Sequence, residues 1–190
     1  MRKVACLLLI FLIVSCVTGP KPDADLKTPD GPVLIHQEDY GFYIDVPKGW
    51  RTDNVTAKKI NVPALFIPQD FSFSDAPAII YAIGHKKPVG KPYGVYNFIG
   101  TDHDRYMTKR PAVKMKEMGA LTTRDNRIGV LVAYFDPTGG PQSHEVVAYI
   151  KDQLIIAVIV LSTDQKEHVA TYLPVFKKMV ESYNFHGEVK

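Results

Sequence analysis

The chain has 190 residues, with 23 Lys and Arg against 20 Asp and Glu and a formal net charge of +3 at pH 7. That near-balance, with the signs interspersed, gives no electrostatic case for nucleic acid as a partner. Hydrophobic residues make up 46% of the chain and cysteines number two, so a domain held by its core rather than by disulfides is expected.

The first element is an apolar run from Val4 to Val14 behind Arg2 and Lys3. A bilayer-spanning helix needs about 20 such residues, so the run is too short to span and reads as the core of a signal peptide. It closes on Ile13, Val14, Ser15 and Cys16. The arrangement resembles a bacterial lipoprotein signal with its lipobox. The resemblance implies that residues 1–15 are removed and that Cys16 becomes the lipidated first residue of the mature chain. One acyl chain holds a protein only marginally, whereas the two or three carried in that family hold it permanently. Val17, where an aspartate could stand, implies sorting to the outer membrane, with the domain facing the periplasm. Cys6 leaves with the leader, so the mature chain offers no free thiol, disulfide or cysteine metal site. Residues 16–32, rich in proline and glycine and without apolar periodicity, read as a tether. Residues 33–188 then form a single globular domain.

Within that domain strand signals dominate. Phe42, Ile44 and Val46 alternate with Tyr43 and Asp45 and stop at Pro47 and Gly49. Ala64 to Ile67, between two prolines, suggests an edge or irregular strand. Ala78 to Ile83 is a further strand, expected to end at Gly84. Tyr93 to Lys109 has a helical stripe of Val95, Phe98, Ile99 and Tyr106, closed by Pro111. Val113 to Met118 and Leu121 to Thr123 make one broken strand, and Arg127 to Phe135 follows a tight turn at Asp125 and Asn126. Glu145 to Ile150 and Leu154 to Leu161 form a hairpin whose second strand is apolar throughout, hence central and covered on both faces. Asp164 to Tyr183 is an amphipathic helix, with Thr163 as its expected cap and Pro174 expected to kink or split it. Antiparallel hairpins with two helices predict the α+β class, a central antiparallel sheet flanked by helices.

The opening residues Tyr40, Gly41, Phe42, Ile44, Val46, Pro47, Gly49 and Trp50 resemble the start of PsbP-like and Mog-type domains. The long apolar strand and final amphipathic helix ending near Ser182 and Tyr183 fit the same layout. The resemblance implies an α-β-α sandwich and, with no shared catalytic set, a binding role. Read physically, Pro47 stops the strand, Gly49 permits the turn, and Trp50 folds back as an apolar lid.

Few polar groups suggest chemistry. His85, Lys86 and Lys87 leave a strand end and could contact an anion, although a solvated strand end is the plainer reading. His36 and Glu38, two apart on an extended segment, could bind zinc with a third ligand. Asp102, His103, Asp104 and Arg105 read as solvated helix surface. His144 and Glu145 are adjacent on a strand and point to opposite faces, so they cannot share a ligand. Phe71 and Phe73, if exposed, would make their loop a partner contact. No phosphate loop, HExxH, GxSxG or nucleophilic cysteine is present, so no catalytic residue and no cofactor is expected. The expectation is a non-catalytic, lipid-anchored envelope protein that binds a protein partner or assists envelope assembly. The alternatives are a metal-dependent envelope hydrolase, for which a convergent polar cleft would speak, and a small-ligand-binding lipoprotein.

Overall fold

The computed structural model describes residues 31–188 apart from 38, 39, 89, 91 and 141. The signal segment, Cys16, the tether up to residue 30 and Glu38 lie outside the described residues. In chain order the elements are β1 (Pro32–Gln37), β2 (Tyr40–Asp45), β3 (Trp50–Thr52), α1 (Asn54–Lys59), β4 (Ala64–Pro68), β5 (Ile79–Lys86) and α2 (Val95–Lys109). They continue as β6 (Lys114–Thr122), β7 (Ile128–Phe135), β8 (His144–Lys151), β9 (Ile155–Thr163), α3 (Lys166–Glu181) and β10 (Asn184–Glu188).

The fold is α+β. A seven-stranded antiparallel sheet runs β3-β4-β5-β9-β8-β7-β6, and a three-stranded sheet runs β1-β2-β10. Strand β9 is buried at every position, as its unbroken apolar run requires of a strand covered on both sides. Its alternate residues feed two cores. Ile155, Ala157, Ile159 and Leu161 pack with the small sheet and with Phe176, Met179 and Val180 of α3. Ile156, Val158 and Val160 pack with Phe98 and Ile99 of α2. Helix α1 covers Leu65 and Ile67 with a smaller cluster. Trp50 is buried in the first core, edge-on to Tyr172 at 5.7 Å between centroids, which is the lid role its position suggests.

Gly84 does not end its strand. Strand β5 continues through His85 to Lys86, and Gly84 instead lets the small sheet approach. A Cβ there would lie 2.5 Å from Tyr40 Cε2, and the Tyr40 hydroxyl donates to the Gly84 carbonyl at 2.7 Å. Helix α3 is one element across Pro174, neither split nor interrupted. Thr163 belongs to β9, and Gln165 takes the cap position without a side-chain hydrogen bond; the Thr163 hydroxyl donates to the Gln165 carbonyl at 2.9 Å.

The strand break predicted near Met118 is a bulge between Glu117 and Gly119, where Gly119 takes φ +98°. At the following turn Asn126 has φ +61°. That turn is fastened by polar contacts. The Arg124 amide donates to the Glu181 carbonyl at 2.7 Å, and its guanidinium pairs with Asp45. Arg127 reaches the buried Asp152 at 3.3 Å.

Candidate functional site

Among the concavities of the described residues, two lie against opposite faces of the large sheet. The first lies between α2 and strands β5, β8 and β9. Along α2, Phe98 and Ile99 are buried, and the same stripe continues one turn on through Asp102 and Tyr106. Both polar residues therefore face the sheet. The Tyr106 hydroxyl donates to Glu145 Oε2 at 2.6 Å, and the Tyr149 hydroxyl donates to Asp102 Oδ2 at 2.6 Å. Tyr106 stacks on Tyr134 with centroids 4.0 Å apart, and the Tyr134 and Tyr149 hydroxyls lie 3.0 Å apart. These contacts dock α2 onto the sheet and also define a cleft of about 300 Å³.

Electrostatics in this cleft are set by burial. Glu145 is 3% exposed, and burial pushes its carboxyl above the usual range, opposed by the Tyr106 hydrogen bond and by Arg110. Burial likewise raises the Tyr106, Tyr149 and Tyr81 hydroxyls, reinforced by Glu145 or Asp102, and raises Tyr134 to about 12. All four are neutral donors at physiological pH. His85 sits against Phe98 at 4.9 Å between centroids, and burial lowers its pKa, so it is neutral there as well. At the mouth stand Arg105, Lys109 and Arg110. Arg110 is fixed by donation from Nη1 to the Gln142 carbonyl at 2.5 Å.

The second concavity lies on the opposite face, between α3 and the outer strands β6, β7 and β8, with a volume of about 760 Å³. Its walls are apolar. Ala133, Phe135 and Val146 come from the sheet, and Val169, Ala170 and Leu173 from α3. Phe135 is 37% exposed and Met118 38% exposed. Lys114, Lys116 and Lys166 line the rim. Strand β6 is the sheet's outer edge and is exposed along almost its whole length, so its outer backbone groups face away from the ladder. Edge lysines guard against strand-to-strand aggregation in many proteins. Here they also border an open apolar groove, which a guarding role alone does not require.

The residues singled out from sequence are dispersed. His36 is exposed on β1 opposite Gly41, and Glu38 lies outside the described residues. Among the described residues no three His, Cys, Asp or Glu side chains come together in a way that could hold a metal ion. His85 faces the α2 cleft, whereas Lys86, its strand neighbour, points to the other side. Lys87 is half-buried beyond the strand, so the three do not converge. Phe71 is 38% exposed in the loop after β4, and Phe73 is half-buried against the α1 cluster.

His144 and Glu145 diverge as strand alternation demands. His144 packs on Phe135 at 4.7 Å between centroids, and Glu145 reaches Tyr106. Asp102, read from sequence as solvated helix surface, is half-buried and turned to the sheet. The signal that could have found it is its place one turn beyond Phe98 and one turn before Tyr106.

No family model and no curated protein matches the chain. Among solved structures it is similar to the cyanobacterial PsbP, CyanoP, from Synechocystis sp. PCC 6803. The identity is 15% over 89% of this chain and 99% of that one, with a TM-score of 0.49. It is also similar to the Ran-binding protein Mog1p of Saccharomyces cerevisiae, at 15% identity over 75% of this chain and 89% of that one, with a TM-score of 0.46. These are the two kinds of protein that the Tyr40–Trp50 segment resembles. Neither likeness bears on the cleft or the groove.

Proposed function

We propose that the protein is a lipid-anchored, non-catalytic component of the bacterial envelope that docks a protein partner in the groove between β6–β8 and α3. The observation that carries this reading is an open apolar groove at an exposed sheet edge, bordered by Lys114 and Lys116 of that edge and by Lys166 of α3. The anchor is assigned to Cys16 from the short apolar run, the basic flank and the lipobox. The proline-rich segment after it would let the domain reach a partner while staying close to the membrane.

The groove specifies its occupant's chemistry. Apolar walls call for two or three apolar side chains, each worth about 1.5–3 kcal/mol when fully buried. The lysine rim calls for carboxylates beside them, which would speed encounter and fix orientation more than add affinity. A partner segment that alternates apolar and acidic residues fits both demands. Extended, it could also pair with the open edge of β6.

The test is affinity isolation of the anchored chain from its own envelope, beside Phe135→Asp, the double variant Lys114→Glu/Lys116→Glu, and Lys58→Glu on the far face. One stoichiometric partner should be retained by the parent and by Lys58→Glu and lost from both groove variants. Equal recovery from all four proteins would overturn the groove as the docking surface. Cys16→Ser should release the chain from the membrane fraction; a variant that stays membrane-bound would remove the anchor from the account.

A further inference from the structure

The contacts that dock α2 onto the sheet account for Tyr106, Tyr149, Asp102 and Glu145. They do not account for the three cations at the mouth of the same cleft. Arg105 and Lys109 are one turn apart on α2, so their side chains project on one side of the helix. Arg110 follows at the helix cap and is held in place by the Gln142 carbonyl. Such placement costs the arginine freedom that a merely solvated side chain would keep.

The charge balance is one-sided. Asp102 already accepts from Tyr149, and its carboxylate lies 4.0 Å from Arg105. The other acid of the cleft, Glu145, is buried and hydrogen-bonded to Tyr106, and burial favours its neutral form. His85 is neutral. Three cations therefore stand at the mouth, one of them held in place, against two carboxylates that each already accept from a tyrosine. Deeper in, the cleft is walled by Ile83, Val158 and Val160 with the Tyr81 ring beside them. A volume near 300 Å³ is at the small end of ligand sites. A cationic mouth over an apolar floor is complementary to one kind of molecule.

We propose that the α2 cleft binds a small organic anion, with its carboxylate or phosphate head at Arg105, Lys109 and Arg110 and its short apolar body on Ile83, Val158 and Val160. The site lies on the face opposite the docking groove and is independent of it. The helix carboxyl end disfavours an anion, and the cations must outweigh that. This makes the charged side chains, rather than the backbone, the source of affinity. Binding is therefore expected to weaken with salt.

The test uses the full mature chain and amide chemical-shift titration with four probes: benzoate, phenyl phosphate, benzyl alcohol and inorganic phosphate. Benzoate or phenyl phosphate should saturate, shifting Val158, Val160 and the residues around Arg105 to Arg110. The preferred one of the two identifies the head group. Benzyl alcohol and inorganic phosphate should each bind at least about tenfold more weakly, a difference of about 1.4 kcal/mol, because each lacks one half of the recognised structure.

Arg105→Gln/Lys109→Gln, both exposed and remote from the core, should weaken the organic anion by at least about tenfold while leaving the fold's spectrum intact. Equal binding of benzoate, phenyl phosphate and benzyl alcohol would overturn the proposal. So would inorganic phosphate binding as tightly as either organic anion, or an unchanged double variant. Shifts that fail to saturate at high probe concentration would mean nonspecific association only and would also overturn it.

Discussion

Gly84 and Tyr40 show how single residues set the spacing of the two sheets. The Tyr40 ring occupies the space where a Cβ at residue 84 would stand, and its hydroxyl caps the Gly84 carbonyl. Gly84→Ala should therefore cost about 1–3 kcal/mol in denaturant unfolding, the usual scale of overpacking. In a Tyr40→Ala background the added cost should vanish; a persisting cost would mean that backbone strain, not the ring, is responsible. Glu145 carries a second prediction. Its folded-state pKa is raised by burial, so the folded protein holds its proton more tightly than the unfolded chain does. The stability this contributes is present below the carboxyl's unfolded pKa and is lost as pH rises through the folded one. Glu145→Gln keeps an acceptor for Tyr106 and removes the titration. Tyr106 and Asp102 of α2, Arg110 at its cap and Tyr81 of β5 face the same carboxyl and remain in both proteins. Melting curves at pH 4 and pH 8 should show the variant gaining on its parent at the higher pH. A variant that loses ground as pH rises would contradict the burial argument. None of this was visible in the sequence around Glu145, because its partner Tyr106 lies 39 positions away and on a helix.

At the scale of elements, legibility followed the strength of local pattern. Strands β2, β7, β8 and β9 and helices α2 and α3 carry long apolar periodicities and lie where those periodicities put them. Strands β1, β3 and β10 and helix α1 went unrecognised for a common reason. Each has six residues or fewer, and each depends on a neighbour already in place. Among the described residues strand β10 pairs with β2 alone and includes a register shift, so no alternation marks it. Helix α1 is announced only by Asp53, whose carboxylate accepts from the Thr56 amide at 2.9 Å. Pro174 is a local signal that tertiary packing overrode. Phe176, Met179 and Val180 beyond it are fully buried against the sheet, so α3 holds together across a residue that cannot donate. Proline in a helix interior costs about 3 kcal/mol relative to alanine, less a gain of up to about 1 kcal/mol from a stiffer unfolded chain. Pro174→Ala should therefore raise stability by about 2–3 kcal/mol in chemical denaturation. A loss of stability would show that the proline shapes the helix to fit the sheet.

At the scale of the molecule, the large sheet separates two surfaces of opposite character. One face holds a polar, cation-rimmed cleft under α2, and the other an apolar, lysine-rimmed groove beside α3. The fold class was legible because strands and helices each carry their own period. The surfaces were not, since each collects residues from at least three elements far apart in sequence. Phe135, Met118 and Leu173 carry no shared motif and become neighbours only when β6, β7 and α3 are assembled. The proposed function rests on that assembly, and one measurement reaches it most directly. A photo-crosslinking side chain placed at Met118 of the anchored chain, irradiated in its own envelope, should yield an adduct to a partner segment rich in apolar and acidic residues. The yield should fall at least about tenfold, or 1.4 kcal/mol, on Lys114→Glu/Lys116→Glu. A yield no higher than from the same probe at Lys58, or one that charge reversal leaves unchanged, would contradict the docking role.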